Sequence, residues 1–181
     1  MPDSESSPPG TASAVATAAV STPIVKTPPT AELNFGFSSA LLLLTRMSLQ
    51  VLAQAKHEAT HGDARFAVLL AYAACEWATE EALGNLMRLR GAGAIVEPVL
   101  GMFGSTRNLT NNSVLELFEA LTNTRPTQET WWQGWKASCK LRHPIAHKGK
   151  PATSQQALES VQSAEQYVQY LTDVVAQTPP V

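Results

Sequence analysis

From Phe35 to His61 the apolar positions recur every three or four residues: Leu41, Leu44, Met47 or Ser48, Val51 or Leu52, and Ala55. That period predicts one long helix with a single buried face. His61-Gly62-Asp63 reads as a stop, with Asp63 the N-cap of a second helix over about 64–89. Phe66, Leu69, Leu70, Ala73, Trp77 and Leu83 mark its apolar positions, and Gly91-Ala92-Gly93 ends it. A brief helix is expected over 95–103 and a loop over 104–112. Ser113-Val114-Leu115-Glu116 has the capping-box form and opens a short helix to Thr122. Arg125-Pro126-Thr127 starts a further helix that carries Trp131, Trp132, Trp135 and Cys139, with Arg142 continuing the same face. Pro144 is expected to interrupt that helix, because proline has no N–H and disfavours helical backbone at His143. A last helix over 154–175 has the stripe Ala157, Val161, Ala164, Val168, Leu171 and Val175. No segment alternates as a strand. The chain therefore reads as all-α, a bundle of four or five helices over 33–177.

Composition changes the picture chiefly at the N-terminus. Six of the 12 prolines fall in the first thirty residues, among Ala, Ser and Thr. That stretch has no aromatic residue and only Asp3, Glu5 and Lys26 as charges, so residues 1–32 are expected to be disordered. The tail has neither a basic leading segment nor a continuous apolar run, which makes it a poor secretion signal. Elsewhere the longest apolar runs fall well short of the ~18 residues a membrane span needs, so no membrane partner is expected. Two cysteines, Cys75 and Cys139, make no disulfide framework and read as buried thiols. A cytoplasmic, reducing setting fits this pattern. Lys and Arg number 13 against 15 Asp and Glu, so net charge marks no general polyanion binder.

Two histidine motifs carry candidate chemistry. His57-Glu58-Ala59-Thr60-His61 has the HExxH form, with two imidazoles on one helix face and a carboxylate between them. Glu80 has the chain spacing of a third zinc ligand, but helix geometry puts it ~24 Å away at ~1.5 Å per residue. A catalytic zinc site is therefore rejected, and no metal or other cofactor is expected. The second motif is Arg142-His143-Pro144-Ile145-Ala146-His147. No acidic residue lies between Glu129 and Glu159, whereas Lys136, Lys140, Arg142, Lys148 and Lys150 supply five cations. In a chain whose charges otherwise cancel, this is a local anion-attracting segment. Arginine offers a planar fork for phosphate, and histidine moves a proton near neutral pH.

Glu76 lies inside the apolar run 71–78, where an unpaired carboxylate is costly. A buried partner such as Arg142 would resolve that cost and orient the guanidinium; an edge position in water is the alternative. Trp131, Trp132 and Trp135 are read first as core or interface, and second as platforms for unpaired bases. Because Trp131 and Trp132 occupy different helix faces, at least one of them is expected at the surface.

The segment Lys140-Leu141-Arg142-His143-Pro144-Ile145-Ala146-His147-Lys148-Gly149 resembles the HEPN domain family. These small helical bundles are marked by Arg, four to six residues, then His, with a polar residue after the Arg. His143 fills that polar place, and the earlier stretch 71–78 is also similar to the family's. Pro144 departs from the pattern. The resemblance implies a metal-independent endoribonuclease of the toxin or antiviral-defence type, acting as a homodimer in which two motifs meet. His147 would take the 2′-OH proton, and Arg142 would stabilise charge on the phosphoryl oxygens. His143, Lys140, Lys148 and Lys150 would bind substrate, and Glu76 would orient the site. RNA, or a nucleotide, is the implied ligand, with an antitoxin protein as a further partner. The rival expectation is a non-catalytic HEPN-like module that grips a nucleotide or a protein.

Overall fold

The structure is a computed structural model that describes residues 35–104 and 106–180, with side chains from Met47 onward. The tail at 1–32, expected to be disordered, lies outside the described residues. Helix α1 (Phe35–His61) ends where Gly62 and Asp63 turn the chain into α2 (Ala64–Leu89). The turn closes locally. The Glu58 carboxylate folds over Gly62 and accepts the Asp63 N–H at 3.1 Å, so a Cβ at 62 would collide with it. Asp63 in turn accepts the Arg65 N–H at 2.8 Å, as an N-cap should.

α2 is the central element and touches every other helix among the described residues. Its buried face carries a stripe of small side chains, Ala67, Ala71, Ala74, Ala78 and Ala82, together with Val68, Leu86, Met87 and the expected Leu83. Phe66 and Trp77, expected to mark the inward side, are instead 57% and 41% exposed. Small residues let α1 and α6 (Ser154–Gln177) come close, and this tertiary fit decides which face of α2 is inside. In α1 the inward positions are Ser48, Leu52 and Ala55, while Met47 is 45% exposed. α2 and α6 run parallel, with Cys75 facing Ala164 and Thr79 facing Tyr167.

Between the long helices come α3 (Val96–Met102) and α4 (Asn112–Thr122), as the expected brief helix and short helix. The cap of α4 is Asn111 rather than Ser113: its side chain accepts the Ser113 N–H at 3.0 Å. Asn111 also donates to the Thr106 carbonyl at 2.9 Å, so one side chain both caps the helix and closes its loop. Arg125-Pro126 does not start the next helix. Pro126–Gln128 forms a single 3₁₀ turn, and α5 (Trp132–Lys148) begins after it. The described part of the chain thus has six α-helices and no strand, four of the helices long and two short. None of them is long and apolar enough to cross a membrane.

One carboxylate is held inside this packing. The Ser48 hydroxyl donates to Glu81 at 3.1 Å from across the α1–α2 contact. Burial pushes the Glu81 carboxyl up from 4.5 to about 7, with the Ser48 bond opposing the shift and nearby Glu80 adding to it. A folded-state value above the unfolded one means the native state binds the proton more tightly. Stability from this group is therefore full below 4.5 and is lost as pH rises through about 7. Glu81→Gln is expected to flatten that loss. Thermal melts of both proteins on either side of neutrality measure it, and parallel decline in the two would refute the assignment.

Candidate nucleic-acid interface

Pro144 does not interrupt α5, which runs unbroken through it to Lys148. Proline removes one donor, the bond that would return to Lys140, but Lys140 is exposed and water can serve its carbonyl. Packing supplies the rest. Ile145 is 4% exposed in the core, and Gly149 closes the end at φ 61° with its N–H on the Ile145 carbonyl. The local preference of His143 loses to these two anchors.

A continuous helix fixes where each candidate side chain points. At ~3.6 residues per turn, Lys136, Lys140, His143 and His147 follow the i, i+4, i+7, i+11 pattern and share one stripe. It is about 17 Å long at ~1.5 Å per residue. Lys140, His143 and His147 are exposed, and Lys136 is half-buried. The imidazoles of His143 and His147 lie 4.7 Å apart, centroid to centroid. Lys148 and Lys150 are exposed at the helix end, off the stripe, where the helix dipole favours cations.

Arg142 is not on this stripe. It lies about 140° around the helix from His147. Its guanidinium sits over the Tyr72 ring, 4.8 Å from the centroid. The Tyr72 hydroxyl accepts from Asn108 Nδ2 at 2.9 Å. Burial, aided by the Glu76 charge, pushes that hydroxyl up to about 12. The same surroundings act on Cys139, whose thiol burial and Glu76 together push up to about 12 while Arg142 partly opposes. Neither group ionises near neutral pH.

Of the two readings of Glu76, the pair with Arg142 does not form: among the described residues no cation lies within 4.0 Å of Glu76. Glu76 instead accepts the Arg107 N–H at 3.3 Å, and the Arg107 guanidinium pairs with Glu80 at 3.1 Å. Glu80, the would-be third zinc ligand, is thus engaged in tying the α3–α4 loop to α2. Trp131, Trp132 and Trp135 are all buried, as their first reading as core residues has it; neither Trp131 nor Trp132 surfaces, and none is open to a base. They form an aromatic cluster with Tyr167 and Tyr170, which fills the space between α5 and α6.

On its other flank α5 borders an open groove of about 570 Å³ against α6. Gly134, Ser138, Ser160 and Ser163 lie along it, and the one charged group lining it is the Glu159 carboxylate. The groove therefore has no cation to attract an anion. The cations of this segment lie on the stripe and at the helix end. Spacing in the sequence was enough to find that stripe once the helix is known to continue, but Tyr72, Arg107 and Asn108 had no such signal. Their roles depend on how the α3–α4 loop folds back on α2. Comparison with family models, curated proteins and solved structures gives no match to the chain.

Proposed function

We propose that this chain is an RNA-binding helical module that grips the phosphate backbone along the outer face of α5. The carrying observation is the acid-free stripe Lys136, Lys140, His143 and His147, presented on one rigid helix. Cations in a row neutralise successive phosphates and release their counterions, which supplies affinity without base readout. The similarity to HEPN domains supports RNA as the polyanion. Lys148 and Lys150 extend the field beyond the helix end.

The test is fluorescence anisotropy with a labelled single-stranded RNA across a salt series. A Lys136→Gln/Lys140→Gln double variant is expected to bind about tenfold more weakly. Its log K against log salt should be shallower by ~1.4, at ~0.7 per phosphate contact for single strands. Unchanged affinity and slope would remove the stripe as the interface.

A second reading, the metal-independent endoribonuclease, is favoured by the 4.7 Å approach of His143 and His147. Two adjacent imidazoles put a proton acceptor beside a proton donor. His147 takes the 2′-OH proton as that oxygen attacks the adjacent phosphorus, and a neighbouring donor protonates the departing 5′-oxygen. Within one chain His143, rather than Arg142, is the nearer donor. Cleavage in chelator that is lost in His147→Ala supports this reading; intact RNA leaves binding as the whole activity.

A further inference from the structure

All four histidines of the chain fall into two i, i+4 pairs, and their electrostatic surroundings are opposite. His143 and His147 stand among lysines, a field that repels cations. The first pair, His57 and His61, stands where the nearby cations are neutralised and, among the described residues, the Glu58 carboxylate has no cation partner. Lys56 is neutralised by Glu165, and Asp63 by Arg65. Both imidazoles are exposed, and their rings stack 5.2 Å apart at an interplanar angle of 23°. They occupy the last two turns of α1, where unpaired carbonyls give the helix end a partial negative charge that favours a bound cation.

The decisive detail is Thr60. Its hydroxyl donates to the Lys56 carbonyl at 2.9 Å, shared with the His57 carbonyl at 3.1 Å. A hydroxyl has one proton to give, so its oxygen is left to accept. His61 Nδ1 lies 2.6 Å from that oxygen, and with the Thr60 proton spent on the carbonyls it is Nδ1–H that donates to Thr60. In that tautomer His61 Nε2 keeps a free lone pair on an exposed residue. An imidazole whose other N–H is held by an oxygen acceptor is the arrangement that orients metal-ligating histidine. Glu58 is no ligand here, because its carboxylate accepts from Asp63 N–H and from Gln54 Nε2.

We propose that His57 and His61 form a two-histidine binding site for a borderline divalent transition metal such as Zn²⁺. Imidazole nitrogen suits Zn, Cu and Ni, and residues four apart on a helix are neighbours on one face, within reach of a shared ion. Water fills the remaining positions, and no three-ligand cluster occurs among the described residues. The site is a surface chelate, independent of RNA binding by α5.

Zn²⁺ titration followed by histidine ring NMR signals and by calorimetry tests this on the full chain. Zn²⁺ is expected to shift the His57 and His61 signals. His57→Ala or His61→Ala should weaken binding at least about tenfold, while His143→Ala/His147→Ala leaves it unchanged. Thr60→Val should weaken it by about tenfold, with Thr60→Ser restoring it. These side chains are exposed, and circular dichroism confirms that each variant remains folded. No shift at His57 and His61 in excess Zn²⁺, or equal binding by His57→Ala, overturns the proposal. Equal binding by Thr60→Val overturns the orienting role of Thr60.

Discussion

Alanine at Trp135 should cost the protein about 3–5 kcal/mol, the range for removing a large aromatic side chain from a packed core. Trp135 is fully buried, stacks on Tyr72 at 5.8 Å and meets Tyr167 at 4.8 Å. It therefore joins three helices: α5 carries it, α2 carries Tyr72 and α6 carries Tyr167. The void left by alanine cannot be filled by its neighbours without moving those helices. Urea denaturation followed by circular dichroism at the helix band measures the loss. Trp135→Phe is the informative companion. The Trp135 Nε1–H has no hydrogen-bond partner among the described residues, so replacing indole by phenyl forfeits packing but no bond. Phenylalanine should cost clearly less than alanine. Equal losses, or a loss near zero for alanine, would show that this cluster does not hold the bundle together.

Tyr167→Phe isolates a polar counterpart a few ångströms away. The Tyr167 hydroxyl is fully buried and lies 2.6 Å from Thr79 Oγ1, whose own proton goes to the Cys75 carbonyl. Tyrosine therefore donates to Thr79 and accepts the Leu109 N–H at 2.9 Å. Removing one oxygen breaks both links and leaves the amide of Leu109, a residue with no solvent exposure, without its acceptor. Stranding a buried donor costs about 1–3 kcal/mol, more than the net value of a hydrogen bond. The variant keeps the ring and its aromatic contacts, so the change in unfolding free energy reports the hydroxyl alone. Hydrogen exchange adds a local readout. The Leu109 amide should lose protection beyond the global change, and retained protection would place its acceptor elsewhere.

Where the sequence was legible, the determining interactions were local. Gly62 and Asp63 end one helix and cap the next through atoms within five residues, and their pattern reads directly. Facing was harder. Phe66 and Trp77 have the largest apolar side chains in α2, yet burial went to alanines, because close approach by α1 and α6 selects for small volume. Periodicity ranks positions by hydrophobicity and carries no information on where a distant helix will land. At α4 two side chains competed for the cap, and Asn111 won by also bonding the loop to Thr106. Pro144 obeyed its local rule only in losing one donor; Ile145 and Gly149 decided the path of the chain. That decision carried the candidate site with it. The charges of the Arg142–Lys150 segment were plain in the sequence, but which of them share a face depended on an unbroken helix.

The alanine stripe of α2 also sets the entropy of folding at the centre of the bundle. An alanine has no rotamers to freeze, whereas a buried leucine or methionine gives up roughly 0.5–2 kcal/mol of side-chain freedom. Five positions on the busiest face of the fold are thus ordered at the expense of backbone freedom alone. The larger side chains that do become fixed include Leu83, Leu86 and Met87 of α2 itself, and Trp135 and Tyr167 on the helices packed around it. The alanine stripe has no rotamers to lose, while Leu83, Leu86 and Met87 further along the same helix do.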